Sequence, residues 1–201
     1  KYTIAKAIVK PYSSNTKLVF DLFKSKLNVT PEKEALVDLI DQYDSWSFDF
    51  PRELDPARLN AIYYGYNKPK AEKFIESFKD GLRDYTSQEE WSIKLHFKRF
   101  VEQLENPKFA GMVKDYKVVS TFITAQVNEV GNYMLDKYDA DVAIMVNLDL
   151  KVVSFRKKKG VQLNLGKLAE KLCDGGGSHN LAGGNLTDTF ATFTKTLAPI
   201  K

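Results

Sequence analysis

Apolar residues recur at helical spacing through most of the first hundred positions. Residues 2–9, YTIAKAIV, are the exception and are typical of a strand. A Ser/Asn-rich start before LVFDLF predicts a short helix within 13–23. A second helix is predicted over 30–43, because Thr30 can cap it and Pro31 suits its first position. Its apolar face consists of Leu36, Val37, Leu39, Ile40 and Tyr43.

Two short helices are predicted after the polar, proline-containing stretch DSWSFDFPRELDP. They span 56–64 and 70–82, and Asp55 is expected to cap the first. They extend the helical character of this part of the chain as far as residue 82.

The longest helical pattern follows. Ser87 and Glu90 have the spacing of a capping box, and apolar residues then recur at helical spacing as far as Leu104. The pair Asn106-Pro107 ends the pattern. Because this helix separates a helical region from a strand-rich one, we expect it to connect two domains.

The period of the pattern changes at residue 116. YKVVSTFI predicts a strand, QVNEVGNYMLDKY a helix, and DVAIMVNLDLKVVSFR two strands joined near Asp149. LNLGKLAEKLC predicts another short helix and TDTFATFTKTL a closing strand. This β-α-β-β-α-β order predicts a small mixed sheet covered by helices.

The predicted fold class is therefore α/β, with a largely helical part at 1–104 and a mixed-sheet domain at 115–201. The boundary is expected between Leu104 and Asp115. The 201 residues are 43% hydrophobic and 12% aromatic, which is enough to bury real cores and excludes a disordered chain.

The cysteine count and the length of the apolar runs indicate the compartment in which the protein is expected. The single cysteine, Cys173, excludes an internal disulfide framework and a cysteine-based zinc site, so a reducing compartment, the cytoplasm, is expected. No run approaches the roughly 20 apolar residues of a membrane span, and the start lacks the apolar centre of a signal peptide. Since the chain begins at Lys1, we expect it to be a fragment of a longer protein.

The charge is concentrated in one segment. The formal net charge is +4. Residues 151–171 hold seven basic residues against Glu170 alone, so this segment is +6 and the rest of the chain is −2. Such a local patch favours a partner that carries phosphate groups. The basic residues are Lys151, Arg156, Lys157, Lys158, Lys159, Lys167 and Lys171.

The stretch CDGGGSHNLAGGNL, residues 173–186, holds five of the eleven glycines and one of the two histidines. Two interpretations are open. The glycines can form an ordinary structural turn, or their N–H groups can line a concave anion site in which His179 donates to a phosphate. The stretch is not a P-loop, because it lacks the GK[ST] ending.

Arg156 makes the second interpretation stronger. It ends the strand VVSFR about twenty residues earlier, and its planar guanidinium suits a phosphate or a carboxylate. Lys157, Lys158 and Lys159, taken singly, are typical of a solvated turn. A strand-end arginine, a short helix and a glycine-histidine turn together indicate an anion site.

This run of residues resembles the C-terminal, DHH-associated domain of the DHH phosphoesterases. Ser154, Phe155 and Arg156 correspond to its SLR-type motif, and the glycine stretch to its GGGGHxxAAG turn. The chain departs at Ser178, where a fourth glycine is usual, at Asn180, where proline is common, and at Gly183. The resemblance implies a phosphate-binding set consisting of Arg156, His179, Gly175, Gly176, Gly177, Ser178, Ala182 and Gly184.

The resemblance extends less specifically to the first hundred residues. LVDLIDQYDSWSF is similar to the end of the catalytic DHH domain, which implies Asp44 as a ligand of Mn²⁺ or Mg²⁺ and Asp41 as the reserve. The alternative is that both aspartates are polar residues at a helix end. The DHH triplet and its upstream motifs are absent, and His96 is expected to be a packing or surface residue. A missing N-terminal catalytic half is therefore expected, and this chain alone is predicted to bind no metal and to be inactive.

The resemblance implies the C-terminal part of a metal-dependent phosphodiesterase or phosphatase. Short oligonucleotides, as for a nanoRNase-like exonuclease, are the leading substrate class, with single nucleotides next. The alternative is a non-catalytic module that binds a nucleotide or another partner, and a purely structural domain is the third interpretation. No membrane partner is expected, and a homodimer stays open.

Overall fold

The computed structural model describes residues 13–200, so the strand predicted at 2–9 lies outside the described residues. The chain divides into two compact units, whose described parts are residues 13–96 and 97–200. The assignment of 1–104 to the end of a DHH-type domain stays a prediction. Across 13–200, none of the helices is both long and apolar enough to span a membrane.

The first unit is helical, as its sequence pattern predicts. The helices are α1 (Asn15–Phe23), followed by a 3₁₀ turn (Lys24–Lys26), α2 (Pro31–Ser45), α3 (Asp55–Gly65), α4 (Lys70–Phe78) and the start of α5 (Ser87–Leu104). Thr30 caps α2 by accepting from the Lys33 N–H, which confirms that prediction. The buried side chains include Val37, Phe48, Phe50, Ala57, Leu59, Ala61, Ile62, Phe78 and Ile93.

Three details at the helix ends differ from expectation. The N-cap of α3 is Leu54 and not Asp55, which lies inside the first turn. The helix α4 stops at Phe78, four residues short of the predicted end. The capping box of α5 lies one residue earlier than predicted. Glu89 accepts from the Thr86 N–H at 2.7 Å, and Thr86 Oγ1 accepts from the Glu89 N–H at 3.3 Å.

The second unit is built on a seven-stranded mixed sheet, which confirms the predicted fold class. The strands are β1 (Lys108–Val113), β2 (Tyr116–Phe122), β3 (Val142–Asn147), β4 (Val152–Lys157), β5 (Gly176–Gly177), β6 (Leu181–Asn185) and β7 (Ala198–Pro199). Their order across the sheet is β5-β6-β4-β3-β2-β1-β7. Among the strands of residues 13–200, β2 and β3 are the only parallel pair, because the helix α6 (Val127–Lys137) joins them as a crossover.

Helices cover both faces of this sheet. Alternate residues of β3 and β4, among them Ile144, Val153 and Phe155, pack against α7 (Leu165–Cys173) and Phe190 in one core. The opposite face carries Met145 and Arg156, which lie beside Gly131 of α6. Residues of the same strand therefore reach two different environments.

The predicted closing strand is wrong. Residues of TDTFATFTKTL form the helix α8 (Asp188–Thr194), capped by Thr187, whose side chain accepts from the Phe190 N–H at 3.1 Å. The last strand of the predicted order comes instead from the glycine stretch, where β5 and β6 form a hairpin. The strand β1 was not predicted, because KFAGMV contains no strict alternation.

Candidate phosphate-binding site

Arg156 lies near the end of β4 and leaves the strand on the face covered by α6. An ideal Cβ placed on Gly131 would lie 2.9 Å from Cγ of Arg156, so the arginine stem runs directly against the bare backbone of the helix. The register of the sheet places Arg156 opposite Ala143 of β3 and Leu181 of β6. The strand and the helix together therefore fix the course of this side chain.

Three N–H groups of the guanidinium have partners. Asn128 Oδ1 accepts from Nε at 3.2 Å and from Nη2 at 2.6 Å, and the carbonyl of Phe155 accepts from Nη1 at 2.8 Å. Asn128 belongs to the first turn of α6. Because a planar fork held at two edges has few rotamers left, Arg156 is oriented before any ligand arrives.

Lys157 leaves β4 on the opposite face, as strand alternation requires. Its ammonium group donates to the carbonyls of Val161 at 2.7 Å and Leu163 at 2.9 Å, in the loop before α7. Nδ1 of His179 lies 2.7 Å from the same nitrogen. Burial lowers the pKa of Lys157, which fits a cation that is partly enclosed by protein.

His179 lies in the turn between β5 and β6, and α7 anchors its backbone. The N–H of Leu165 donates to the carbonyl of His179 at 3.2 Å, and the N–H of Gly166 donates to the carbonyl of Ser178 at 3.0 Å. Both donors belong to the first turn of α7, whose N–H groups lack partners inside the helix. The start of α7 is therefore joined to the turn, and the imidazole is held close to the ammonium of Lys157.

The glycines of the stretch are required for close backbone packing. An ideal Cβ on Gly175 would lie 2.1 Å from the carbonyl oxygen of Gly183, and one on Gly184 would lie 2.5 Å from that of Cys173. Gly177 has φ +147°, a backbone conformation that other residues rarely adopt. Only Gly176 in this stretch has no neighbouring atom within 4 Å of an ideal Cβ. Close packing thus explains most of the glycines, in line with the structural interpretation.

Three N–H groups at the tip of the turn are already hydrogen-bonded within it. The Ser178 N–H donates to the carbonyl of Leu181 at 2.8 Å, and Ser178 Oγ accepts from the N–H groups of Asn180 and Leu181, each at 3.2 Å. Ser178 therefore closes the turn itself. The capacity to bind an anion therefore lies mainly in the side chains of Arg156 and His179, and Lys157 adds its positive charge.

The predicted residues thus fall into two groups on opposite faces of the sheet. Arg156 is joined to Asn128 on the α6 side of β4, whereas His179 is joined to Lys157 on the α7 side. The sequence pattern did not predict the roles of Asn128 and Gly131 beside Arg156, or the contact of Lys157 with His179. Strand alternation after Arg156 was the one signal that could have separated Lys157 from the two lysines that follow it.

Asp41 and Asp44 lie in the first unit and differ in their surroundings. Asp41 Oδ1 accepts from the Ser14 N–H at 2.5 Å, so it ties the start of α1 to α2. Partial burial of its carboxyl and repulsion from Asp41 raise the pKa of Asp44, although much of that side chain is exposed. Among residues 13–200, no three His, Cys, Asp or Glu side chains come together, so the two aspartates alone do not fit a metal ion.

His96, the other histidine, is half-buried within α5. Cys173 is buried in the core of the second unit, and burial raises the pKa of its thiol to about 11. A thiol in this state is unreactive at neutral pH, so Cys173 is a packing residue.

The fold is shared with two solved proteins whose names describe phosphate-ester or polyphosphate chemistry. A pGpG-specific phosphodiesterase from Vibrio cholerae aligns with a TM-score of 0.62 and 16% identity, over 89% of this chain and 69% of that one. An exopolyphosphatase-related protein from Bacteroides fragilis aligns with a TM-score of 0.50 and 16% identity, over 94% of this chain and 56% of that one. No family model and no curated protein matches the sequence. At this identity the likeness establishes a shared fold.

Proposed function

We propose that the second unit binds the phosphate group of a short nucleotide or oligonucleotide, as the substrate-binding part of a metal-dependent phosphoesterase. The observation that carries the proposal is the contact between His179 and Lys157 beside the glycine hairpin. A cation and an imidazole held 2.7 Å apart at a turn provide charge and directed hydrogen bonding for a phosphate oxygen. The shared fold with a pGpG-specific phosphodiesterase supports the same reaction class.

We propose Arg156, which leaves β4 on the opposite face, as a second anchor for an anionic group of the ligand. Its guanidinium is held by Asn128 and by its own strand, so a phosphate that approaches it meets an oriented donor group. Pre-orientation lowers the entropic cost of binding. The segment 151–171, with its net charge of +6, adds the electrostatic attraction that a ligand with several phosphates requires.

The net charge of +6 in residues 151–171 supports the choice of substrate class. One short basic segment matches a ligand with a few phosphates, whereas a long nucleic acid needs an extended basic track. The substrate named for the Vibrio protein is a dinucleotide, which supports the same choice. Short oligonucleotides are therefore the proposed ligands.

A metal ion remains part of the proposal for the complete protein. Bound Mn²⁺ or Mg²⁺ would act as a Lewis acid toward the phosphate oxygens. Asp44 is the residue of this chain that we assign to it, since Asp41 is engaged with Ser14. The remaining ligands would come from the N-terminal half expected from the resemblance.

Titration of the chain with fluorescently labelled pGpG tests the binding function. We expect saturable binding that Arg156→Ala and His179→Ala each weaken by about tenfold or more, because each removes a charge-assisted or directed hydrogen bond. Lys159→Ala is the matched control, since Lys159 is an exposed basic residue of the same segment. An equal loss of affinity in all three variants would contradict a defined site and indicate binding to a diffuse basic surface.

Hydrolysis decides between the enzyme and the non-catalytic alternative. Mn²⁺-dependent cleavage of a labelled dinucleotide is measured for this chain and for a version extended at its N-terminus to the natural start. Cleavage by the longer protein alone supports the substrate-binding role proposed here. Binding without cleavage by either protein would favour a non-catalytic nucleotide-binding module.

A further inference from the structure

The three consecutive lysines 157–159 have three different environments. Lys158 pairs with Asp139 at 2.5 Å on the surface, and Lys159 is exposed. Lys157 turns inward, and its ammonium meets two loop carbonyls and the imidazole of His179. Only the first of the three is in a position to affect His179 directly.

The donors and acceptors around Lys157 match in number. An ammonium group has three N–H donors and no acceptor. The three acceptors are the carbonyls of Val161 and Leu163 and the Nδ1 atom of His179, at 2.7, 2.9 and 2.7 Å. Because Nδ1 accepts a hydrogen bond from the Lys157 ammonium, it cannot carry a hydrogen itself, so the ring N–H must be at Nε2.

Asn180 does not change this assignment. Its Oδ1 lies 3.4 Å from His179 Nδ1, much farther than the ammonium nitrogen of Lys157. The two ends of an asparagine amide are assigned from the surrounding hydrogen bonds, so the amide can equally turn its NH₂ group toward the ring. The shorter, charged contact therefore determines the tautomer.

We propose that Lys157 is a positioning residue that fixes His179 as the Nε2–H tautomer and so presents one hydrogen-bond donor to a phosphate oxygen of the ligand. This role rests on the phosphate-binding function proposed above. The backbone of His179 is held separately, through the hydrogen bond from Leu165 at the start of α7. Lys157 thus controls the ring, while α7 controls the backbone.

The tautomer also restricts which ligand atom His179 can bind. An Nε2–H group only donates, so the ligand atom must be an acceptor such as a phosphate oxygen. In the other tautomer Nε2 would be an acceptor and would repel that oxygen. A lysine that selects the donor form therefore contributes to the selection of phosphate.

Nitrogen NMR of the imidazole rings tests the proposal in the absence of any ligand. The chain has only two histidines, so His179→Gln identifies the resonances of His179 by their loss. At neutral pH we expect the wild type to show a protonated Nε2 and an unprotonated Nδ1. Lys157→Met should give a mixture of tautomers, Lys157→Arg should restore the wild-type form, and Lys159→Met should leave it unchanged.

A protonated Nδ1 in the wild type would overturn the proposal, even if Lys157→Met fails to fold. An unchanged tautomer in a folded Lys157→Met variant would also overturn it. Titration with labelled pGpG is a separate readout, in which we expect Lys157→Met to weaken binding by about tenfold. If the wild type shows the expected tautomer but binds no dinucleotide, the proposed function fails while the control of His179 by Lys157 stands.

Discussion

The Cβ atom that Gly131 lacks would lie 2.9 Å from Cγ of Arg156. It would also lie 2.8 Å from Cε of Met145. The arginine stem can therefore cross α6 and reach Asn128 only because position 131 has no side chain. One missing methyl group sets the course of the guanidinium that we assign to phosphate binding.

Gly131→Ala should weaken ligand binding while leaving the stability of the fold nearly unchanged. Alanine favours a helix over glycine by roughly 0.5–1 kcal/mol, which offsets the cost of moving Met145 and the stem of Arg156. We expect the free energy of unfolding to change by less than about 1 kcal/mol, whereas affinity for labelled pGpG falls by about tenfold. Urea unfolding and fluorescence titration measure the two quantities.

Asn128→Ala is the companion variant, because it releases the guanidinium without touching its stem. It should weaken binding in the same direction and leave Met145 in place. Wild-type affinity in both variants would show that the orientation of Arg156 does not matter for the ligand.

The acid stability of the first unit should depend on Glu89. Burial by itself would raise the pKa of this carboxyl, but hydrogen bonds from Arg83, Tyr66 and Thr86 outweigh it and lower the pKa to about 2. A lowered folded-state pKa stabilises the fold above the unfolded value, near 4.5, and this contribution is lost as the pH falls toward 2. At neutral pH it amounts to about 3 kcal/mol.

Glu89→Gln should therefore reduce the free energy of unfolding at pH 7 by about 2–3 kcal/mol. The difference from the wild type should shrink as the pH falls from 5 to 2. Glu90→Gln is the control, since Glu90 makes a more exposed pair with Arg58. Chemical denaturation across this pH range measures both, and a difference that stays constant with pH would contradict the role of the Glu89 charge.

The helices of the first unit and the central strands follow from sequence periodicity. Pro31 after Thr30 marks the start of α2, and the apolar run at 142–147 can only be a buried strand or helix segment. The helix α8 was missed because threonine and phenylalanine are typical strand residues, although Phe190 and Phe193 have the i, i+3 spacing of a helix. Burial of Phe190 against α7 and β4 decides its conformation. In this segment, tertiary packing outweighs the strand preference of threonine and phenylalanine.

The candidate site likewise contains residues that the sequence predicts and residues whose roles depend on tertiary contacts. Arg156 and His179 were accessible from their motifs, since each is part of a short, recognisable run. Asn128 is 28 residues from Arg156 in sequence, and only the crossover of α6 brings the two together. The partnership of Lys157 with His179 likewise depends on a hairpin that the sequence pattern did not reveal.

The capping role of Thr187 gives a test of α8. Thr187→Ala removes the acceptor for the Phe190 N–H and should lower the free energy of unfolding by about 1 kcal/mol. Thr189→Ala is the control, because Thr189 is exposed inside the same helix and its loss should change stability by less than about 0.5 kcal/mol. Similar losses in urea unfolding for the two variants would argue against the cap.

Two neighbouring glycines of the hairpin, Gly176 and Gly177, should differ in their response to substitution by alanine. Gly177 has φ +147°, and an ideal Cβ there would lie 2.5 Å from Cα of Ala182, so Gly177→Ala must strain the backbone by about 1–3 kcal/mol. An ideal Cβ on Gly176 would have no neighbouring atom within 4 Å, so Gly176→Ala should leave the melting temperature nearly unchanged. Because His179 follows two residues after Gly177, we expect its imidazole resonances to move in the first variant only. Equal melting temperatures, or equal shifts at His179, would contradict the geometry of this turn.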